Sequence, residues 1–282
     1  MAFARTIFGD VDPSTLGVVD CHDHLIRVGA GEVYIDGDHQ LDSVEKAIEE
    51  GGYFAEASRK WSPNGGTVVD MCPINCGRDL DKLAEVTKAV DGLQVIAATG
   101  FHREHVYLET QSHWINRYGV DKVAELVIAD IREGIDRNDY SGPIVDRTPF
   151  KAGVIKVGTA YGKITKFERK CMEAAAIAAI ETGCPIIPTA IIGSRELQKP
   201  GTVIPAKGRT QVIYGTPIPV ERNDAPTHDE LRELTDRVTR AIQAMSGQEY
   251  VDEYAQKVKE RLKAQAAAAE QGESAAENGT RS

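Results

Sequence analysis

The chain has 282 residues, with 33 Lys and Arg against 43 Asp and Glu, and therefore a formal net charge of −10. This acidic balance disfavours nucleic acid and anionic membrane surfaces as partners, because both bind basic surfaces. No apolar run reaches the roughly 18 residues needed to span a bilayer, and the first residues do not resemble a secretory signal. Five cysteines, an odd number in a chain this long, favour a reduced cytoplasmic protein.

Short apolar strands alternate with amphipathic helices through the first part of the chain. Strands are predicted at residues 16–20, 67–71, 94–99, 153–157 and 185–192. Helices are predicted between them, at residues 41–61, 79–90, 120–136 and 165–182. Such alternation is typical of an α/β protein with a parallel sheet, either open or closed into a barrel.

The alternation ends near residue 192. One further strand is predicted at residues 210–214. A long helix is predicted to begin after Thr227, because Thr227 and Glu230 have the spacing of a capping box. A second helical piece is predicted at residues 249–263, so the later part of the chain is a short α/β tail with a long helix.

The strongest chemical motif is His22-x-His24, at the end of the first predicted strand. Side chains alternate across a strand, so the two imidazoles are expected on the same side. At the carboxyl end of a barrel strand, this spacing suits two ligands of one divalent metal ion. The alternative is two ordinary histidines near a strand end, since a bare His-x-His pair is common.

A second unusual residue is Lys156, in the middle of the apolar strand Gly153-Val-Ile-Lys-Val-Gly. A buried charged lysine is costly, so it needs a partner or altered chemistry. Carbamylation by CO2 would turn the amine into a carboxylate-like metal ligand. The alternative is a lysine that extends to solvent or pairs with a neighbouring acid.

A His-x-His pair on the first strand and a lysine on the fourth resemble the phosphotriesterase-related branch of the amidohydrolase superfamily. The resemblance covers about residues 5–188 and includes Gly17-Val-Val-Asp-Cys-His-Asp-His-Leu, Gly66-Thr-Val-Val-Asp-Met and Ala152-Gly-Val-Ile-Lys-Val-Gly-Thr. It implies a (β/α)8 TIM barrel, of which this chain would supply about five βα units. A complete barrel needs eight strands, so the barrel predicted here is partial.

The same resemblance implies a function and its site. Members hold two divalent metals, usually zinc, bridged by a carboxylated lysine and a hydroxide that attacks an ester, lactone or phosphotriester. By position, His22 and His24 match metal ligands and Lys156 matches the bridging carboxylysine. The implied cofactor is zinc or another divalent metal, and the implied partner is a small ester or lactone. The chain could also form a homo-oligomer.

The sequence departs from the family pattern at three ligand positions. Thr189 stands where the family's fifth-strand histidine belongs. The sixth-strand histidine has no candidate, since His228 lies in a helix-capping segment, and the eighth-strand aspartate has no match. We therefore expect weak metal binding and impaired hydrolysis, with no catalytic residue assigned. The alternative is an inactive fusion or a metal-binding remnant.

Residues 184–263 resemble a different family, the 1-acylglycerol-3-phosphate acyltransferases. The resemblance rests on Cys184-Pro-Ile-Ile-Pro-Thr-Ala-Ile-Ile-Gly-Ser-Arg and Val212-Ile-Tyr-Gly-Thr-Pro-Ile-Pro. That family uses a His-x4-Asp motif, and no histidine of this chain has an aspartate five residues later. An acyltransferase-related protein without its catalytic motif is thus a second alternative.

The two resemblances predict three parts for the chain. A phosphotriesterase-like partial barrel occupies residues 1–188, and an acyltransferase-like segment occupies residues 189–263. Residues 264–282 contain no large apolar side chain, so we expect a disordered tail.

Further polar residues could contribute to a site. Cys72 and Cys76 could form a ligand pair, although two ordinary loop cysteines are favoured because no second pair exists. His102, His105 and His113 follow the third predicted strand and could touch a substrate at the mouth of a barrel. Solvated loop histidines are the favoured alternative.

Overall fold

The computed structural model describes residues 3–107, 113–160, 164–197, 204, 206–221, 223, 227–249 and 261. These residues form two compact units: the first runs to Cys184 and also includes Val220 and Glu221, and the second comprises the others. Within the described residues, no helix combines the length and the apolar character that crossing a membrane requires.

A four-stranded parallel sheet forms the centre of the first unit. A short antiparallel hairpin, β1 (Ala4–Thr6) and β2 (Gly9–Val11), precedes it. The parallel strands follow one another in chain order: β3 (Val18–Asp23), β4 (Gly66–Asp70), β5 (Leu93–Phe101) and β6 (Val154–Val157). The α/β class and the first four predicted strands are confirmed.

Helices connect these strands, as the alternating pattern predicts. The unit contains α1 (Ala30–Ile35), α2 (Val44–Ser58), α3 (Leu80–Ala89), α4 (Trp114–Arg117), α5 (Val120–Arg132) and α6 (Lys166–Thr182), with 3-10 turns at Pro13–Thr15, Gly37–His39 and Glu104–Tyr107. Thr165 begins α6 through a capping box with Glu168. Gly183 ends it with a φ of 73°, a left-handed conformation that favours glycine.

The core lies between the central strands and the longer helices. Every residue of β4 is buried, and Val95, Ala97 and Phe101 of β5 belong to the same apolar cluster. Apolar side chains of the helices complete it, among them Val86 and Val127. Strands buried on both faces are typical of parallel sheets covered by helices. The sheet therefore holds the carboxyl ends of its strands on a rigid base.

The prediction that residues 185–192 form a fifth strand of the parallel sheet is wrong. In the second unit, β7 (Thr189–Ile192) pairs antiparallel with β8 (Gln211–Tyr214), and Ala190 lies opposite Ile213. The described residues thus contain four parallel strands, rather than five. Pro185 and Pro188 lack the N–H groups that a central strand donates. Between them, Ile186 forms only an isolated antiparallel bridge with Ile218, and the continuous ladder begins at Thr189.

The rest of the second unit follows the sequence pattern where it is described. A short helix, α7 (Ser194–Leu197), lies between β7 and β8. The long helix α8 (His228–Ser246) begins at the predicted capping box of Thr227 and Glu230. The predicted helix at 249–263 lies outside the described residues except at 249 and 261, and the predicted disordered tail lies wholly outside them.

A buried ion-pair network ties α5 to the loop after β4. Asp130 of α5 is fully buried and accepts hydrogen bonds from Arg78 Nη1 at 3.0 Å, Thr99 Oγ1 at 2.7 Å and Tyr140 Oη at 2.6 Å. Arg78 also donates from Nε to Asp139 Oδ1 at 2.7 Å. Removing Asp130 would leave Arg78 with Asp139 as its remaining buried counter-charge and would leave the hydroxyls of Thr99 and Tyr140 without this acceptor.

We expect Asp130→Ala to lower the free energy of unfolding of the first unit by about 3–5 kcal/mol, because Arg78 loses a buried counter-charge. Urea unfolding followed by tryptophan fluorescence measures this, since Trp61 and Trp114 both lie in the first unit. Glu125→Ala, on the exposed side of the same helix, is the matched control and should cost less than about 0.5 kcal/mol. Equal midpoints for the two variants would refute the structural role of the network.

Candidate metal centre

His22 and His24 lie where β3 ends, and their rings are in contact. The ring centroids are 5.7 Å apart with the planes at 84°. Local hydrogen bonds hold this segment, since His22 N donates to Asp20 Oδ1 at 3.1 Å and His24 N donates to Asp23 Oδ1 at 2.7 Å. The two imidazoles are therefore close enough to face a common ion.

Lys156 comes from β6, at the opposite edge of the sheet, and meets the same site. Its Nζ lies 3.5 Å from His22 Nε2 and donates to the carbonyl of Met71 at 2.9 Å. Side chains from the two edge strands can meet only because the sheet curls like part of a barrel. Burial lowers the pKa of Lys156. Burial also lowers the pKa of His22, and the nearby Lys156 charge acts in the same direction.

Two neighbours of His24, Asp70 and Cys72, follow from the structure and were not assigned by the sequence. His24 Nδ1 lies 3.0 Å from Cys72 Sγ and 3.6 Å from Asp70 Oδ1. One ligand atom from each residue can be chosen so that all three lie within 4.8 Å of one another. Among the described residues, Cys72 thus groups with His24 and Asp70 rather than with Cys76.

The position of Asp70 in β4 explains this contact. Asp20 pairs with Val68 and Asp23 pairs with Asp70, so β3 contains one more residue than β4 over this interval. Such a bulge redirects the end of the strand. It brings the segment after β3 over the last residue of β4. The sequence shows that an acidic residue ends a buried strand. It does not show the pairing register of β3 and β4, on which the contact with His24 depends.

The Asp70 carboxylate is fully buried and satisfied by backbone donors. Its Oδ2 accepts from Leu25 N and its Oδ1 accepts from Cys72 N, each at 3.1 Å. Burial opposes its ionisation, but the hydrogen bonds, led by that with His24, outweigh burial and lower the pKa of Asp70. Burial raises the pKa of Cys72 well above its usual value, so its thiol is protonated at neutral pH.

The three loop histidines have different surroundings. His102 Nε2 lies 3.6 Å from Glu32 Oε1, and burial followed by the Lys156 charge lowers the pKa of His102 to about 4. His113 Nε2 lies 3.1 Å from Asn75 Oδ1, and its ring packs on Tyr107 with centroids 4.9 Å apart. His105 is exposed. The structure places His102 near the candidate site and gives His113 a packing role.

The remaining predicted positions belong to the second unit. Thr189 begins β7, and its hydroxyl donates to the carbonyl of Ile187 at 3.3 Å. His228 is the first residue of α8, as its helix-capping context predicts.

Comparisons with known proteins agree with the first-unit geometry. Residues 2–208 match the phosphotriesterase family. A phospho-furanose lactonase of Mycoplasmopsis synoviae is 39% identical over 70% of this chain and 54% of its own length. An aryldialkylphosphatase of Saccharolobus solfataricus is 32% identical over 63% of this chain and 50% of its own length.

Solved structures show the same relation. A crystal structure of an amidohydrolase from Mycoplasma synoviae matches with a TM-score of 0.58 and 39% identity, over 63% of this chain and 49% of that one. A lactonase from Listeria monocytogenes matches with a TM-score of 0.53 and 30% identity, over 64% of this chain and 54% of that one. The chain therefore spans about half the length of the relatives it matches.

The family match also bears on the predicted second segment. It extends to residue 208, past the boundary predicted at residue 188. The stretch that begins the acyltransferase-like resemblance thus falls inside the phosphotriesterase match. The acyltransferase assignment of the later residues gains no support from the comparisons and stays a prediction.

The environment of His102 predicts a pH-dependent loss of stability in the metal-free protein. An unfolded histidine binds a proton near pH 6.5, whereas His102 in the folded chain does so only near pH 4. Between these values the unfolded state binds more protons, so stability falls as the pH falls through this window. We expect His102→Asn to reduce the difference in urea midpoint between about pH 7 and about pH 5.

His39→Asn serves as the control, because His39 is exposed. It should leave the pH dependence unchanged. An unaltered pH dependence in His102→Asn would contradict the depressed pKa of His102.

Proposed function

Because this chain belongs to the phosphotriesterase family, we propose that it is a metal-dependent hydrolase of small lactones and related esters, impaired by the loss of metal ligands. The observation that carries the proposal is the meeting of Lys156 Nζ and His22 Nε2 at 3.5 Å, with His24 beside them. His22 and Lys156 are 134 positions apart in the chain and still converge on one point.

The donor set fits one divalent ion of the zinc type. Zinc takes imidazole nitrogen and carboxylate oxygen, usually with four ligands. His22 and His24 offer two nitrogens. Carboxylation of Lys156 would supply an oxygen, the amine forming a C–N bond to CO2 and releasing a proton to solvent. A water molecule or substrate could take the fourth position, which is the arrangement of catalytic zinc sites.

When bound, such an ion would acidify a water molecule and polarise a carbonyl oxygen. Neighbouring residues of the chain orient the side chains around that position. Asp70 faces His24 Nδ1 and can fix the ring so that Nε2 carries the free lone pair. The carbonyl of Met71 holds Lys156 Nζ toward His22. The curled sheet thus presents the three side chains at the carboxyl ends of β3 and β6, where barrel enzymes place their sites.

The relatives favour a lactone as the substrate. The phospho-furanose lactonase of Mycoplasmopsis synoviae is more similar to this chain than the aryldialkylphosphatase is, at 39% against 32% identity. Both names describe attack at an ester-type bond. We therefore place lactones first, other carboxylic esters second and phosphotriesters third.

Impairment follows from the positions that the family resemblance leaves empty. Thr189 has a neutral hydroxyl, a poor zinc ligand, in place of a histidine. The missing eighth-strand aspartate removes a proton acceptor, and general acid–base groups contribute typically about 10²–10⁴-fold. A metal-binding remnant without turnover is the competing proposal, and acyl transfer is disfavoured because His-x4-Asp is absent.

The test is hydrolysis of a chromogenic lactone and an aryl ester by protein loaded with zinc and bicarbonate. We expect slow turnover that disappears when the metal is removed. Lys156→Ala and His22→Ala should lower the rate at least about 100-fold, because each removes a ligand of the same ion. Lys122→Ala, which removes an exposed lysine of α5, is the matched control and should retain the rate.

Turnover that is equal with and without metal would contradict the proposed hydrolase. Metal-dependent turnover that survives both Lys156→Ala and His22→Ala would show that the ion lies elsewhere. Metal binding without any turnover would favour the remnant.

A further inference from the structure

The imidazole of His24 has a second polar environment besides the one shared with His22 and Lys156. Its Nδ1 faces Cys72 Sγ at 3.0 Å and Asp70 Oδ1 at 3.6 Å. A tetrahedral ion with a zinc–sulfur bond of about 2.3 Å and a zinc–nitrogen bond of about 2.0 Å needs these ligand atoms about 3.5 Å apart. Zinc–nitrogen and zinc–oxygen bonds need their ligand atoms about 3.4 Å apart, close to the 3.6 Å observed for His24 and Asp70. The sulfur must move by about half an ångström.

The surrounding charges favour a dication at this place. Arg27 is buried beside Cys72, and its Nη1 pairs with Glu32 Oε2 at 2.9 Å. Glu32 therefore balances Arg27. An ionised Asp70 and a Cys72 thiolate would then balance the two positive charges of the ion. The thiol proton passes to solvent when the sulfur binds the metal.

The guanidinium group of Arg27, which lies beside this sulfur, also contains a buried donor. Arg27 is only 5% exposed, and its Nε has no hydrogen-bond partner among the residues that the structure describes. Buried N–H groups without acceptors are costly. A thiolate at Cys72 would bring an anionic acceptor next to the Arg27 guanidinium, which a protonated thiol does not provide.

We propose that His24, Asp70 and Cys72 form a second metal site, specific for soft divalent ions and distinct from the position shared by His22 and Lys156. Thiolate ligands select soft metals, whereas hard ions such as magnesium and manganese prefer oxygen. The site uses His24 Nδ1, and a neutral imidazole binds metal through one nitrogen while the other carries the proton. A soft ion bound here therefore withdraws His24 from the hydrolytic position.

The test is titration of the metal-free full chain with cadmium, followed by the ultraviolet thiolate-to-cadmium charge-transfer band. All variants carry Cys21→Ser, because Cys21 is the exposed thiol. We expect a saturable band with one cadmium per chain. Cys72→Ser should remove it and weaken cadmium binding at least about 100-fold. Magnesium should neither give the band nor compete.

The matched control is Cys76→Ser, which alters a second buried thiol in the same loop and should keep the band. Lys156→Ala should also keep it, although that variant destroys the proposed hydrolytic position. His24→Ala tests the site without altering any thiol and should weaken cadmium binding to a similar extent. Circular dichroism of each variant checks that it is folded.

Absence of the band in the parent protein would overturn the proposal, as would its persistence in Cys72→Ser or its equal loss in Cys76→Ser. Loss of cadmium binding in Lys156→Ala would assign the ion to the position of His22 and Lys156 instead. The result of the cadmium titration does not depend on whether the protein hydrolyses a lactone or an ester. A protein that binds cadmium through Cys72 and hydrolyses nothing would refute the hydrolase alone.

Discussion

The carboxylate of Asp70 is the contact on which the candidate site depends. It ends β4 inside the protein, where an unpaired charge would be prohibitively costly. Two backbone N–H groups and the imidazole of His24 compensate it. Those donors belong to the segment after β3 and to the turn after β4. One buried charge thus fixes the positions of two loops and the orientation of the His24 ring.

The curvature of the parallel sheet brings Lys156 close to His22 in the candidate site. Lys156 and His22 belong to the edge strands β6 and β3, which a flat sheet would keep about three strand spacings, or roughly 14 Å, apart. They approach to 3.5 Å because the twisted sheet bends toward closure. Four strands are enough to bring these two groups together. They leave the sides of β3 and β6 as edges of the parallel sheet within the described residues.

The sequence predicted those features that depend on local period and strand order. His22-x-His24 and Lys156 were found from side-chain alternation and from burial of a charge. Asp70 was missed because its contact with His24 requires the register between β3 and β4, and a one-residue bulge in β3 sets that register. The antiparallel pairing of β7 was missed for a related reason. Its apolar pattern suits either strand direction, and only the location of its partner β8 decides between them.

His24 has two ring nitrogens, and each of the two proposed metal positions would use a different one. If Nδ1 keeps its proton and donates it to Asp70, Nε2 is free to join His22 in binding an ion, and Asp70 acts as the orienting group. If a Cys72 thiolate and an ion occupied Nδ1, the proton would move to Nε2 and the proposed hydrolytic position would lose a ligand. Burial, which keeps Cys72 protonated in the metal-free chain, favours the first state. A soft ion would reverse that preference, because its bond to sulfur would compensate the loss of the thiol proton. The nature of the available metal would therefore decide which side of this imidazole is used.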